Sequence, residues 1–270
     1  MSEKVVSVSQ EVEEIVNNLT LFDDDLMSLV FDKNIEATNL MLRIILEKED
    51  LEVIEVTGQR ELENPIVDGR NIKLDILARD GLGKLYDIEV QRDNGGAHVR
   101  RARFHSSMVD TRMLKEKQKF KELRDSYVIF ITQLDYLGEG LPLYHINRVV
   151  KETGQEINDG SHIVYVNGSY KGNDAIGRLM HDFSCKDADD IHYEELKKSV
   201  RHFKEEGGRG IVCKAVEEYG REQARESAFN TKIENIKSIM VNLKLTVEQA
   251  MQAMNISQEE QAAIMARLKG

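Results

Sequence analysis

Asp75, Glu89 and Gln91 are the residues whose types and spacing point to chemistry. They sit on two stretches in which apolar residues alternate, Ile72, Leu74, Ile76 and Ala78, then Tyr86, Ile88 and Val90. Between these stretches lies Arg79-Asp80-Gly81-Leu82-Gly83-Lys84, a strong hairpin signal. Period-two alternation gives Lys73, Asp75 and Leu77 one face, and Asp87, Glu89 and Gln91 the facing set. A turn centred on Gly81 and Leu82 brings Asp75 nearly opposite Ile88 and Glu89, and a small bulge sets it directly across from Glu89. Opposed Cβ atoms in such a ladder lie roughly 4.5–5.5 Å apart, and like charges so placed repel. A hard cation such as Mg²⁺ relieves that repulsion through carboxylate oxygens, backbone carbonyls and water. Next to a phosphodiester it would activate an attacking water, which the Gln91 amide could orient. A half-exposed amphipathic hairpin gives the same alternation with no function at all, so the pattern alone leaves both readings open.

The surrounding elements must hold these residues. Residues 34–50 read as an amphipathic helix capped by Asn34, with Leu40, Ile44 and Ile45 toward the core. A strand is predicted over 51–56, and a helix from about Ala97 to Leu123 follows the hairpin. The apolar runs 126–132 and 162–167 read as buried strands. The order is helix, three strands, helix, strand, then a further strand and helices, an α/β class with a mixed central sheet flanked by helices. Composition changes after about Glu205. The Gly207-Gly208 pair predicts a hinge, dividing the chain into a domain over 1–206 and a helical C-terminal extension over 207–270. Thr246 with Gln249 and Ser257 with Glu260 read as capping boxes. Three short helices invite a helix-turn-helix reading, but the last begins with acids that would face phosphate. A regulatory or oligomerisation element, the latter forming a homo-oligomer through these helices, is the preferred reading of the tail. Its stripe of Ile236, Ile239, Met240 and Leu243 would suit a partner helix or burial against the first domain.

Asp75, the hairpin, Glu89-Val90-Gln91 and the arginine-rich segment that follows together resemble the PD-(D/E)XK nuclease superfamily. The closer resemblance is to its recombination-promoting nuclease branch, the PD-(D/E)XK family transposases. It rests on Leu74-Asp75-Ile76, Gly83, Tyr86, Ile88-Glu89 and Gln91, then Arg101-Ala102-Arg103-Phe104-His105, and spans roughly residues 20–170. The resemblance implies a restriction-endonuclease-like fold and a metal-dependent DNA endonuclease, with a role in recombination or transposition. It makes Asp75 and Glu89 the ligands of Mg²⁺, or of Mn²⁺ as a substitute, with the Val90 backbone carbonyl beside them and Glu36 as a weaker candidate. Gln91 takes the place of the signature lysine, and Arg92, Arg101, Arg103 and His105 become the nucleic-acid contacts. Leu74 stands where the superfamily has proline, and the missing lysine removes a source of transition-state charge stabilisation. A catalytically weak nucleic-acid-binding or regulatory protein that keeps the fold is the alternative. A purely structural protein working through its helical tail is a third.

Composition narrows the field. The net charge of -11 argues against a protein that coats nucleic acid non-specifically. Charge is nevertheless uneven: residues 92–124 hold ten basic and four acidic side chains, an excess of +6 against -17 elsewhere. That basic segment suits a local DNA groove. No run of about 18 apolar residues is present, and the first residues lack a signal-peptide core. Cys185 and Cys213 have no metal-type spacing, so a cytoplasmic location is expected. The cluster His181, Cys185, Asp187, Asp189, Asp190 and His192 reads as an exposed acidic loop rather than a closed zinc site. The acids of Phe22-Asp23-Asp24-Asp25 read as a helix start. No phosphate-binding glycine-lysine loop of the ATPase type occurs.

Overall fold

The computed structural model describes residues 10–269. Its elements are α1 (Gln10–Asn18), α2 (Asp24–Phe31), α3 (Ile35–Leu46), β1 (Val53–Leu62), β2 (Ile72–Asp80), β3 (Leu85–Gln91) and α4 (Val99–Met113). There follow β4 (Ser126–Thr132), β5 (Leu143–Ile146), β6 (Arg148–Val149), β7 (Glu156–Ile157) and β8 (Ser161–Asn167). Helices complete the chain: α5 (Ala175–Ser184), α6 (Glu194–Glu205), α7 (Arg209–Leu243), α8 (Val247–Ala253) and α9 (Gln258–Lys269). The main sheet has the order β1-β2-β3-β4-β8-β5, while β6 and β7 form a separate ribbon. β1, β2 and β3 pair antiparallel, β3-β4 and β4-β8 parallel, and β5 closes the far edge antiparallel. This is the mixed, helix-flanked sheet expected from the sequence.

The central strands follow from their composition. β4 is buried at every position, as an uninterrupted apolar strand covered on both faces must be. The β2-β3 turn is set by Asp80, whose Oδ1 accepts from the N–H groups of Leu82 and Lys84, each at 2.9 Å. Gly83 supplies the positive φ of +81° that the turn needs. The resulting register pairs Arg79 with Leu85 and Ile76 with Ile88. One further step along that register sets Asp75 opposite Glu89, with no bulge required.

Several boundaries differ from the sequence reading, each for a physical reason. β1 begins at Val53 and continues to Leu62, because its partner β2 extends that far. α3 keeps the Asn34 cap, whose side chain accepts from Ala37 N–H at 3.1 Å. Its core face is Ala37, Thr38, Met41, Leu42 and Ile45, however, leaving Leu40 and Ile44 half-buried. Those two line a cavity of about 830 Å³ with Glu36, Arg43, Leu143 and Glu194. α4 stops at Met113 rather than Leu123. Met108 and Val109 are its last buried positions, and the lysine-rich stretch beyond has no apolar face to hold a helix against the sheet.

α4 matters most for the site. It packs on β3, β4 and β8, burying Ala102, His105, Ser106, Met108 and Val109. Ala102 joins Ala97, Val128, Phe130 and Tyr165 in one apolar cluster. The polar face of β3 therefore lies under a helix, and Asp87 and Glu89 have no exposed surface. β3 is thus buried on both faces from Tyr86 to Val90, whereas on β2 Lys73 and Arg79 stay exposed and Asp75 and Leu77 half-buried.

By its internal contacts the chain divides into one unit ending at Cys213 and a second comprising Lys214–Gly270. Val212 and Cys213, in the first turns of α7, are buried. In the second unit Ile233, Ile236, Ala250, Met251 and Ile264 form a small core, with Ile239 and Met240 partly buried against it. The stripe expected to face a partner helix is thus used by α8 and α9, and Leu243 is exposed. Thr246 and Gln249 make both bonds of a capping box.

Candidate active site

Three elements meet where the β2-β3 ladder ends. Beyond Ile76 and Ile88 side chains replace ladder partners: Asp75 N–H donates to Glu89 Oε1 at 3.0 Å, and Val90 N–H donates to Asp75 Oδ2 at 2.9 Å. The two carboxylates are thus locked across the strands, each through one oxygen. Leu85 N–H and the Gln91 carbonyl bond to the β4 side. Strand alternation therefore directs the N–H and C=O of Val90 toward β2 and Asp75.

α4 supplies the second layer. His105 is 2% exposed, and its Nδ1 lies 2.9 Å from Asp87 Oδ2 and 3.8 Å from Glu89 Oε1. Asp87 Oδ1 is buried with no hydrogen-bond partner among the described residues. Arg101, one helical turn earlier, donates to Glu89 Oε2 at 2.6 Å, to Gln91 Oε1 at 3.2 Å and to the Gly96 carbonyl at 2.9 Å. A Cβ at Gly96 would sit 2.0 Å from Gln91 Oε1, so a larger residue there would displace the Gln91 amide.

Burial dominates the electrostatics. It raises Asp75 to about 6; the Val90 N–H opposes the rise, and the charge of Asp24 adds to it. Burial likewise raises Asp87 to about 8. Glu89 is held well above the usual carboxylate range, first by burial and then by the charges of Asp87 and Asp75. Burial lowers His105, with the Glu89 charge opposing. Three carboxyls that resist ionisation around one point are a set of oxygen donors short of positive charge.

The structure brings together Asp75, Glu89, Val90, Gln91 and Arg101, sets His105 beneath them at 3.8 Å from Glu89 Oε1, and places Glu36 and Arg103 elsewhere. Glu36 is exposed on α3 and lines the 830 Å³ cavity. The acid in electrostatic reach of Asp75 is instead Asp24, in the first turn of α2. Replacing Glu36 by Gln should therefore leave any nuclease activity of the protein unchanged, and a severalfold loss in a nicking assay would return it to the site. His105 cannot touch nucleic acid directly, since α4 buries it behind Glu89. Arg92 is ion-paired with Asp23. Arg103 is exposed, two residues from Arg101 and so on a different side of α4. Asp87 was not singled out in the sequence. Its signal was the shared face with Glu89, but its importance depends on a helix that starts eight residues after Gln91.

Residues 30–169 match the family model described as PD-(D/E)XK nuclease family transposase. No curated protein and no solved structure matches the chain. The matched segment runs from the end of α2 through β8 and contains the hairpin, both opposed carboxylates and all of α4. It covers more than half of the sequence, and the chain belongs to the PD-(D/E)XK nuclease family transposases.

Proposed function

We propose that this protein is a Mg²⁺-dependent DNA endonuclease that hydrolyses a phosphodiester, acting in recombination or transposition from the cytoplasm. The observation that carries this reading is the pair Asp75 and Glu89, fixed across the end of the β2-β3 ladder and resisting ionisation. Their oxygens, with the Val90 carbonyl, form the hard donor set that Mg²⁺ or Mn²⁺ takes. When bound, the ion supplies charge that polarises the scissile phosphate and acidifies an attacking water.

The chain's own residues do the rest. Arg101 fixes Gln91 by binding its Oε1, which leaves the amide NH₂ to orient a water or a phosphate oxygen. Gln91 carries no charge where the superfamily has lysine, and the Arg101 guanidinium beside it supplies a permanent one. His105 and Asp87 brace Glu89 from beneath. No helix among the described residues is long and apolar enough to cross a membrane.

The test is conversion of supercoiled plasmid to open circles by the full chain with Mg²⁺, stopped by EDTA. DNA binding without nicking would favour the rival reading, a binding or regulatory protein with an uncharged residue in the lysine position. The exposed arginines of α4, Arg100 and Arg103, supply the phosphate contacts in this account. Changing both to Glu should weaken DNA binding and reduce the salt dependence by about one unit of slope per lost contact. An unchanged slope would place the DNA elsewhere.

A further inference from the structure

The end of α5 carries a second cluster with donor chemistry unlike the first. Among His181, Asp182 and Cys185, one ligand atom from each lies within 4.8 Å of the others. Asp187, Asp189 and Asp190 are exposed, as the sequence reading of an acidic loop expected; Asp182, which that reading did not include, has no exposed surface, and Cys185 is buried. His181 Nδ1 is 3.4 Å from both Asp182 Oδ1 and Cys185 Sγ. Tetrahedral Zn²⁺, with bonds of about 2.0–2.3 Å, sets its ligand atoms roughly 3.3–3.8 Å apart. These two separations match that spacing.

The neighbours hold the cluster in place. Asp182 Oδ1 accepts from His192 N–H at 2.9 Å and lies 2.8 Å from His192 Nδ1, while Oδ2 accepts from Tyr193 N–H at 2.9 Å. A carboxylate pinned by two backbone donors and an imidazole is pre-oriented, as the supports of metal ligands are. The donors are one sulfur, one imidazole nitrogen and one carboxylate oxygen, a borderline-soft set that suits Zn²⁺ and not Mg²⁺.

We infer that His181, Asp182 and Cys185 bind a zinc ion, with His192 orienting Asp182 and solvent reaching the fourth position past the half-exposed His181. The cluster lies outside the family-matched residues and fastens the end of α5 to the turn that leads into α6. It is independent of the proposed nuclease chemistry, because Asp75, Glu89 and Val90 offer no sulfur.

The test is Co²⁺ titration of the tag-free full chain, followed by absorption. One equivalent should give tetrahedral d–d bands and a thiolate-to-cobalt charge-transfer band, both lost on competition with Zn²⁺. Cys185→Ser should abolish the charge-transfer band, and Cys213→Ser should leave it intact. His192→Ala should weaken zinc binding roughly 10–100-fold, and His181→Ala by at least as much. Saturating Co²⁺ without a charge-transfer band, or a band that survives Cys185→Ser, overturns the inference. If Cys185→Ser does not fold, the His181→Ala protein decides: unchanged zinc affinity overturns it.

Discussion

Asp75→Asn is expected to lower Mg²⁺-dependent nicking by about 10³-fold or more, about 4 kcal/mol of transition-state stabilisation, with the fold intact. The substitution keeps the shape of the side chain, and an asparagine oxygen can still accept the Val90 N–H that Asp75 Oδ2 now accepts. What disappears is a charged oxygen donor at the meeting point of β2, β3 and α4. Folding should not suffer, because burial and the Asp24 charge already disfavour the ionised carboxylate. Plasmid nicking and circular dichroism on wild type and variant, purified side by side, check both halves. Equal nicking by the two proteins would remove Asp75 from catalysis, and an unfolded variant would show that its role is structural.

Without divalent metal, the protein should lose stability as pH rises from 5 to 8, and Mg²⁺ should restore it. Burial holds Asp75 at about 6 and Asp87 at about 8 in the folded chain, both above the ordinary aspartate value of 3.8. Their protonated forms therefore favour the native state. That contribution is fully present below about pH 4 and is lost as pH passes the folded values. The Asp75 shift corresponds to roughly 3 kcal/mol over its whole span at 1.36 kcal/mol per unit, of which about 1.4 kcal/mol is still to be lost above pH 5. For a protein of this size that remainder amounts to a fall of roughly 3–6 °C in Tm, to which Asp87 adds. A cation at the carboxylates favours their ionised forms, so its stabilising effect should grow over the same interval. Thermal melts in EDTA and in Mg²⁺ at pH 5, 6, 7 and 8 check this. A Tm in EDTA that stays flat or rises with pH contradicts the account, and Asp75→Asn should flatten the part of the fall below about pH 6.

The hairpin was legible because its signals are local: alternation at Ile72, Leu74, Ile76 and Ala78, and two glycines in the turn. β4 was legible for a similar reason, since a buried parallel strand needs a continuous apolar run. What escaped depended on distant packing. His105 stands eighteen residues from Asp87, and only the return of α4 over the sheet brings them to 2.9 Å. Glu36 and Asp24 both sit in the first turn of a helix. Which of them approaches Asp75 depends on how each helix docks, and that is not written in either segment alone. β5 is short, half-exposed and without alternation, so it showed no strand period. The stripe on α7 was visible, but its occupants, α8 and α9, were not identifiable as such.

The central claim is that Asp75 and Glu89 jointly hold a divalent cation. A crystal of the full chain soaked in Mn²⁺ tests it most directly, through the anomalous signal of the ion. The account predicts a peak between Asp75 and Glu89, within coordination distance of both carboxylates and the Val90 carbonyl, with Glu89 Oε2 released from Arg101. It also predicts that the peak is absent from Asp75→Asn crystals soaked in the same way. No peak at this position at saturating Mn²⁺, or an equal peak in the variant, would contradict it.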